Sequence, residues 1–140
     1  MKLKPWLIFL LVSIVLYCIG FFLPAYKELD HTAAVPGLSC FLYGWLVFEE
    51  DPLVTVAWSA NFFLLYLLPR LLLAKSTNSI DQTISVIMVL TSILSLFVGY
   101  AGSESYIPIA APFAWIASLG FVNISVMMKQ KSFLENGKFI

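Results

Sequence analysis

"LSCFLYGWLVF", residues 38–48, is the stretch whose reading decides the fold. It is apolar from end to end, and "EEDP" follows it directly at 49–52. As a helix it would rise only about 16 Å, around half the thickness of a bilayer's hydrocarbon. Whether it crosses sets the sidedness of everything after it. Charge decides the matter, because basic residues gather in the cytoplasmic loops of membrane proteins. If 38–48 does not cross, Lys2, Lys4, Arg70, Lys75, Lys129, Lys131 and Lys138 share the cytoplasmic side, seven of the eight basic residues. The outer side then keeps Lys27 beside Glu28, Asp30, Glu49, Glu50, Asp51 and Glu104. If it did cross, Arg70 and Lys75 would lie outside and the asymmetry would collapse. The expectation is an all-α transmembrane protein: a four-helix bundle with both termini cytoplasmic.

Composition requires the membrane. Of 140 residues, 61% are hydrophobic and 11% charged, where a soluble domain carries about a quarter charged residues to wet its surface. Lipid must solvate most of this chain. One membrane domain over 1–140 is expected, with spans at about 6–24, 52–74, 83–102 and 107–128 and no internal repeat. The basic start and long apolar core of "MKLKPWLIFLLVSIVLYCIGFFLP" imitate a signal peptide. Tyr17 is too bulky for the position before a lipoprotein cysteine, and the apolar run continues through Phe21, Phe22 and Leu23, so the segment reads as a retained anchor. Cys18 and Cys40 read as buried small residues and not as a disulfide pair.

The short apolar stretch then needs another place. Leu38, Phe41, Leu42, Trp45 and Phe48 fall on one helical face, with Pro36-Gly37 breaking the chain before them. It is either an amphipathic helix on the outer leaflet or over the bundle's outer end, or a re-entrant segment that must be buried in protein. In "EEDP", Asp51 suits a helix N-cap, Pro52 suits the first helical position, and Glu49 and Glu50 favour the positive end of the helix dipole. The competing reading, a cation site shared with Asp30 or His31, would need a loop built to aim adjacent acids at one ion.

Helices associate in lipid through small residues and interhelical hydrogen bonds. Ser85, Ser92, Ser95, Gly99 and Gly102 make a small-residue stripe on the third span, and Ala110, Ala114, Ala117 and Ser118 make one on the fourth. Pro108 and Pro112 fall in the fourth span's opening turns, where Pro112 is expected to bend the helix. Asn61 and Asn123 are the polar residues to follow, since intramembrane polar groups mark either interhelical fastening or a ligand site. Counted along their helices they lie about 13 Å and about 24 Å from the outer boundary, too far apart in depth for a direct pair. Arg70, after Pro69, is expected to snorkel to the cytoplasmic headgroups; the alternative is a binding role for anionic lipid or a partner's carboxylate.

Several chemistries lack their residues. The one histidine, His31, makes no haem or metal constellation. The spans contain no hydrolytic triad or paired aspartates, and no carboxylate is expected inside them to carry a coupling proton. There is no glycine-rich phosphate loop and no basic nucleic-acid face. No enzyme, no cofactor and no nucleic-acid partner are expected; the partners are the lipid bilayer and either another membrane protein or further copies of this chain.

"PG" at 36–37, "GWL" at 44–46, "AWSAN" at 57–61 and "AWIAS" at 114–118 occur in an order that resembles a group of small, uncharacterised bacterial four-span inner-membrane proteins. In those proteins the second motif more often reads tryptophan, alanine, asparagine, proline. Here Ser59 intrudes between Trp58 and Ala60, and Phe62 stands where the proline would be. The resemblance implies a four-span bacterial inner-membrane fold, with Trp45, Trp58, Asn61 and Trp115 in one shared feature, and no activity. Small multidrug transporters are similar in length, but their first-span glutamate has no counterpart here. The function expected is a non-enzymatic accessory or regulatory subunit of a membrane assembly. The alternatives are an oligomeric channel or facilitator and an immunity-type protein against a membrane-active toxin.

Overall fold

The computed structural model describes residues 3–28, 34–44, 46, 52–97 and 106–137. Helix α1 (Pro5–Phe22) leads into strand β1 (Pro24–Glu28), followed by β2 (Ala34–Pro36) and the short helix α2 (Gly37–Tyr43). Next come α3 (Pro52–Trp58), α4 (Ala60–Leu73), α5 (Ser79–Ile93) with a 3-10 turn at Leu94–Phe97, β3 (Tyr106–Pro108) and α6 (Ala111–Gly137). Among the described residues, four helical stretches are long and apolar enough to cross a membrane: Pro5–Phe22, Pro52–Leu73, Ser79–Phe97 and Ala111–Glu135. The second joins α3 and α4 through Ser59, whose amide bonds back to Thr55 and Val56.

The spans share a core made by Leu10 of α1, Ala60, Leu64, Leu67 and Leu71 of α4, Met88 of α5, and Leu119, Val122 and Val126 of α6. The most extensive packing is α1 on α6, running antiparallel. Gly20 meets Trp115, Ser13 meets Ser118, Phe9 stacks on Phe121 with centroids 5.9 Å apart, and Trp6 meets Lys129. On α1 the inward residues Trp6, Leu10, Ser13, Tyr17 and Gly20 step by four and three, the spacing that keeps one helical face on a partner. At the crossing, Ser118 donates from Oγ to the Ser13 carbonyl at 2.9 Å, a close approach that only small side chains allow.

Several boundaries differ from the sequence reading. The third helix begins at Ser79, four residues before the expected 83, because Asn78 and Asp81 form a reciprocal capping box there. The fourth begins at Ala111 and not at 107, since Tyr106–Pro108 is spent as a strand. Pro112 therefore sits in the first turn of α6, where the amide it lacks would have no helical partner, and it does not bend the helix. Ser85, Ser92 and Ser95 are buried as expected, whereas Gly99 and Gly102 lie outside the described residues. On α6 the buried face is Ala111, Ser118, Val122, Ser125 and Lys129, while Ala117 is exposed. The expected alanine stripe was rotated by about one residue. Cys18 is exposed rather than buried, and both cysteines are free.

The all-α expectation also missed a small sheet. β1 is the centre of the antiparallel order β2-β1-β3, with Lys27 opposite Ala34 on one side and Ile107 on the other. Proline ends the outer strands at Pro36 and Pro108, where a missing amide donor is tolerated. The sheet covers one end of the helices. Ala25 and Tyr26 pack with Ala111, Trp115 and Cys40, and the Tyr26 hydroxyl donates to the Ser95 carbonyl at 2.8 Å.

Of 38–48, residues 38–43 belong to α2, seven residues beginning at Gly37 and packed on α1, while 45, 47 and 48 lie outside the described residues. Leu38 and Leu42 of the apolar face are exposed. The docked face is Gly37, Cys40, Phe41 and Gly44, because glycine allows backbone to touch backbone: the Gly37 amide donates to the Leu23 carbonyl at 2.9 Å. Burial pushes the Cys40 thiol up to about 11. Its alkylation by iodoacetamide should therefore rise about tenfold per pH unit up to that value, instead of levelling near the ordinary cysteine range. Because the folded value lies above the unfolded 9.0, this thiol should also lower stability as pH rises from about 9 to about 11. A rate plateau below pH 9 would contradict the buried placement.

Candidate functional site

Helices α1 and α4 enclose a cavity of about 340 Å³. Tyr17 and Asn61 line it, and Tyr17 donates its phenolic hydrogen to Asn61 Oδ1 across the gap. Ile14, Leu65 and Leu68 supply aliphatic wall, and Phe41 and Trp58 close the end nearest α2. Its outward side is open: Phe62 is 60% exposed and Leu65 65% exposed, and Cys18 is exposed beside them.

Each wall has a local cause. Trp58 is fixed by its indole Nε1–H donating to the Phe41 carbonyl at 2.7 Å, a bond that gives its polar atom a partner and ties α3 to α2. Phe62 meets the Trp58 ring edge-on with centroids 5.1 Å apart. Phe41 makes edge contacts with Tyr17 and lies 4.9 Å from Phe21. Tyr17 falls four residues after Ser13 and three before Gly20, so the face that packs on α6 also brings its hydroxyl round toward α4. Sequence reading missed Tyr17; the signal was a phenol on the buried spacing of an otherwise apolar helix, where its hydroxyl needs a partner.

The expected candidates separate. Trp58 and Asn61 meet at the cavity. Trp115 packs on Gly20 behind the sheet, and its Nε1 is buried with no hydrogen-bond partner among the described residues. Trp45 lies outside the described residues, as do Asp30, His31, Glu49, Glu50 and Asp51 of the cation-site reading. No cluster of three His, Cys, Asp or Glu among the described residues could hold a metal. Asn123 donates from Nδ2 to Ser85 Oγ at 2.8 Å, joining α6 to α5, and does not reach Asn61. Replacing Asn123 by leucine should destabilise the fold by about 1 kcal/mol, the scale of one interhelical bond in lipid. Thermal unfolding in detergent micelles checks this, and no change at all would make the bond incidental.

A second polar group lies at the end of the helices away from the sheet. Arg70 of α4 points to Asp81 of α5, with Nε 3.2 Å from Oδ1 and a terminal nitrogen 3.0 Å from Oδ2. Tyr66 also donates to Asp81 Oδ1 at 3.2 Å, and the Asn78 amide donates to Oδ2 at 3.0 Å. Asp81 is fully buried, while the Arg70 side chain is 37% exposed. Arg70 thus meets a carboxylate of its own chain and not a partner's, and a buried acid does stand within a candidate span. It was missed because the third span was started two residues after it. Lys129, buried on α6, donates to the Leu71 and Ala74 carbonyls and holds the cut end of α4, with its Nζ 4.8 Å from the Trp6 ring centre.

Chemically, the lower cluster is closed on itself: each acceptor of Asp81 has a donor and each carbonyl near Lys129 has a cation. The cavity differs. The Asn61 carbonyl is taken by Tyr17, while its amide nitrogen has no partner among the described residues. The cavity's lining is almost wholly apolar, so it can shelter apolar groups. No protein-family model, curated protein or solved structure matches this chain.

Proposed function

We propose that this protein is a four-span protein of the bacterial inner membrane, with both termini cytoplasmic, that acts without chemistry of its own as an accessory or regulatory subunit of a membrane assembly. The observation that carries the reading is how its polar groups are used. Arg70 with Asp81, Asn123 with Ser85, Ser13 with Ser118, and Lys129 with the end of α4 are all fastened helix to helix. Such pairs hold helices together and offer no file of free polar groups for an ion to follow. The cavity opens sideways between helices, toward what would be lipid or a neighbouring protein. The sidedness rests on charge: seven of the eight basic residues are assigned to the cytoplasmic side.

Extraction in native lipid particles, followed by mass measurement, tests the role. A foreign subunit at fixed stoichiometry is expected. A particle containing only this chain, from cells expressing it at native level, would overturn it. A cysteine introduced at residue 2 should be labelled by a membrane-impermeant maleimide only in inverted vesicles.

A further inference from the structure

The end of the helices away from the sheet carries more positive charge than its acids meet. Lys129 of α6 donates to the Leu71 and Ala74 carbonyls, which sets its ammonium against the backbone that continues into Lys75. The same ammonium lies 4.8 Å from the Trp6 ring centre, two residues past Lys4 at the start of α1, and the Lys4 charge acts on it. Three lysines from three segments of the chain converge here. Among the described residues, this end holds two acids, and both are engaged elsewhere. Asp81 receives Arg70, Tyr66 and the Asn78 amide, and Glu135 lies 3.9 Å from Lys131.

Lys129 is buried, and carbonyls occupy its hydrogens without cancelling its charge. Like charges gathered at the edge of a low-dielectric region repel, so an anion is favoured beside them. Lys4 and Lys75 are exposed, and each ammonium has three donors to offer. The residues next to them narrow the class of anion. Leu72 and Leu73 stand exposed just before Lys75, Leu73 at 84%, and Leu3 is exposed next to Lys4. Cations beside exposed leucines at the end of a candidate span complement an amphiphile, an anionic head on a hydrocarbon chain.

We propose that Lys4, Lys75 and Lys129 form a binding site for the phosphate of an anionic phospholipid. Lys4 and Lys75 donate to its oxygens, Lys129 adds a fixed charge behind them, and an acyl chain lies on Leu72 and Leu73. The site needs no partner subunit and no particular sidedness, so it stands or falls separately from the accessory role.

The test is native mass spectrometry of the purified full-length chain in mild detergent, titrated with phosphatidylglycerol or with phosphatidylcholine. Both lipids carry a phosphate, but only the first has a net negative charge, and its preferential retention is expected. Lys4→Gln and Lys75→Gln should each lower its affinity about fivefold, the weight of one lysine at a membrane surface. Both side chains are exposed, so neither change threatens the fold. Lys131→Gln removes an exposed cation already paired with Glu135 and should leave the affinity unchanged. Inorganic phosphate should not displace the lipid, because it gains nothing from the leucines. Equal retention of the two lipids, or an equal loss from Lys131→Gln, would overturn the proposal. Displacement by inorganic phosphate would overturn the assignment to lipid.

Discussion

Gly37→Ala is expected to detach the sheet end from the helices, with a loss of about 3 kcal/mol, the upper part of the range for overpacking. A methyl group at this position would lie 2.0 Å from the Gly20 carbonyl oxygen and 3.0 Å from that of Leu23. Both obstacles are backbone, so no rotamer change relieves them. The Gly37 amide would also lose its bond to Leu23. α2 carries Phe41, and Phe41 anchors Trp58, so displacement should reach the cavity. Two readouts are expected together: a lower unfolding temperature in detergent, and a Cys40 alkylation profile that moves down toward that of an ordinary thiol. Gly20→Ala is the companion, because its added methyl would lie 2.3 Å from the Trp115 indole nitrogen. A side chain can yield where backbone cannot, so the smaller loss is expected there. A Gly37→Ala protein with native stability and a native Cys40 profile would show that α2 is not docked through this contact.

Asp81→Ala should be the most damaging change at the opposite end. The capping box lost with it is worth about 1 kcal/mol by itself. The same carboxylate also receives Arg70 and Tyr66, and these would be left facing a buried gap. The total should clearly exceed the loss from Asn123→Leu. Asp81→Asn should fall between, since its single amide oxygen can still accept from either Asn78 or Tyr66, not both, and carries no charge for Arg70. The exchanged pair, Arg70→Asp with Asp81→Arg, should not restore stability. Position 81 must accept the Asn78 amide at the first turn of α5, and a guanidinium accepts nothing. Full rescue by the exchange would mean that the ion pair alone matters there. Thermal unfolding of the four variants in one detergent decides.

The four long helices were legible because each signal was local and strong. An apolar run of about 20 residues needs no knowledge of its neighbours to be recognised as long enough for a membrane. Pro52 likewise announced the start of α3. The boundaries that failed did so where a partner distant in sequence decides. Tyr106–Pro108 has apolar residues and a proline that suit a helix's first turn, but pairing with β1 some eighty residues earlier claims them as a strand. The polar residues show the same division. Asn61 and Arg70 stood out as polar residues in apolar runs, whereas Tyr17 was hidden by its aromatic character and Asp81 by its closeness to a loop. The burial of Asp81 follows from Arg70 arriving on the next helix, and no local pattern contains that.

By itself, then, the sequence determined the number of long apolar helices, the charge asymmetry along the chain, and two of the side chains at the cavity, Trp58 and Asn61. These are properties of composition and short-range spacing. The tertiary structure decided which face of α6 is buried, that α2 docks on the end of α1 through Gly37, that Arg70 has a carboxylate within its own chain, and that Tyr17 and Asn61 meet. Each of those depends on two segments reaching the same place at contact distance, and a hydrogen bond or a backbone crossing is satisfied or lost over less than an ångström.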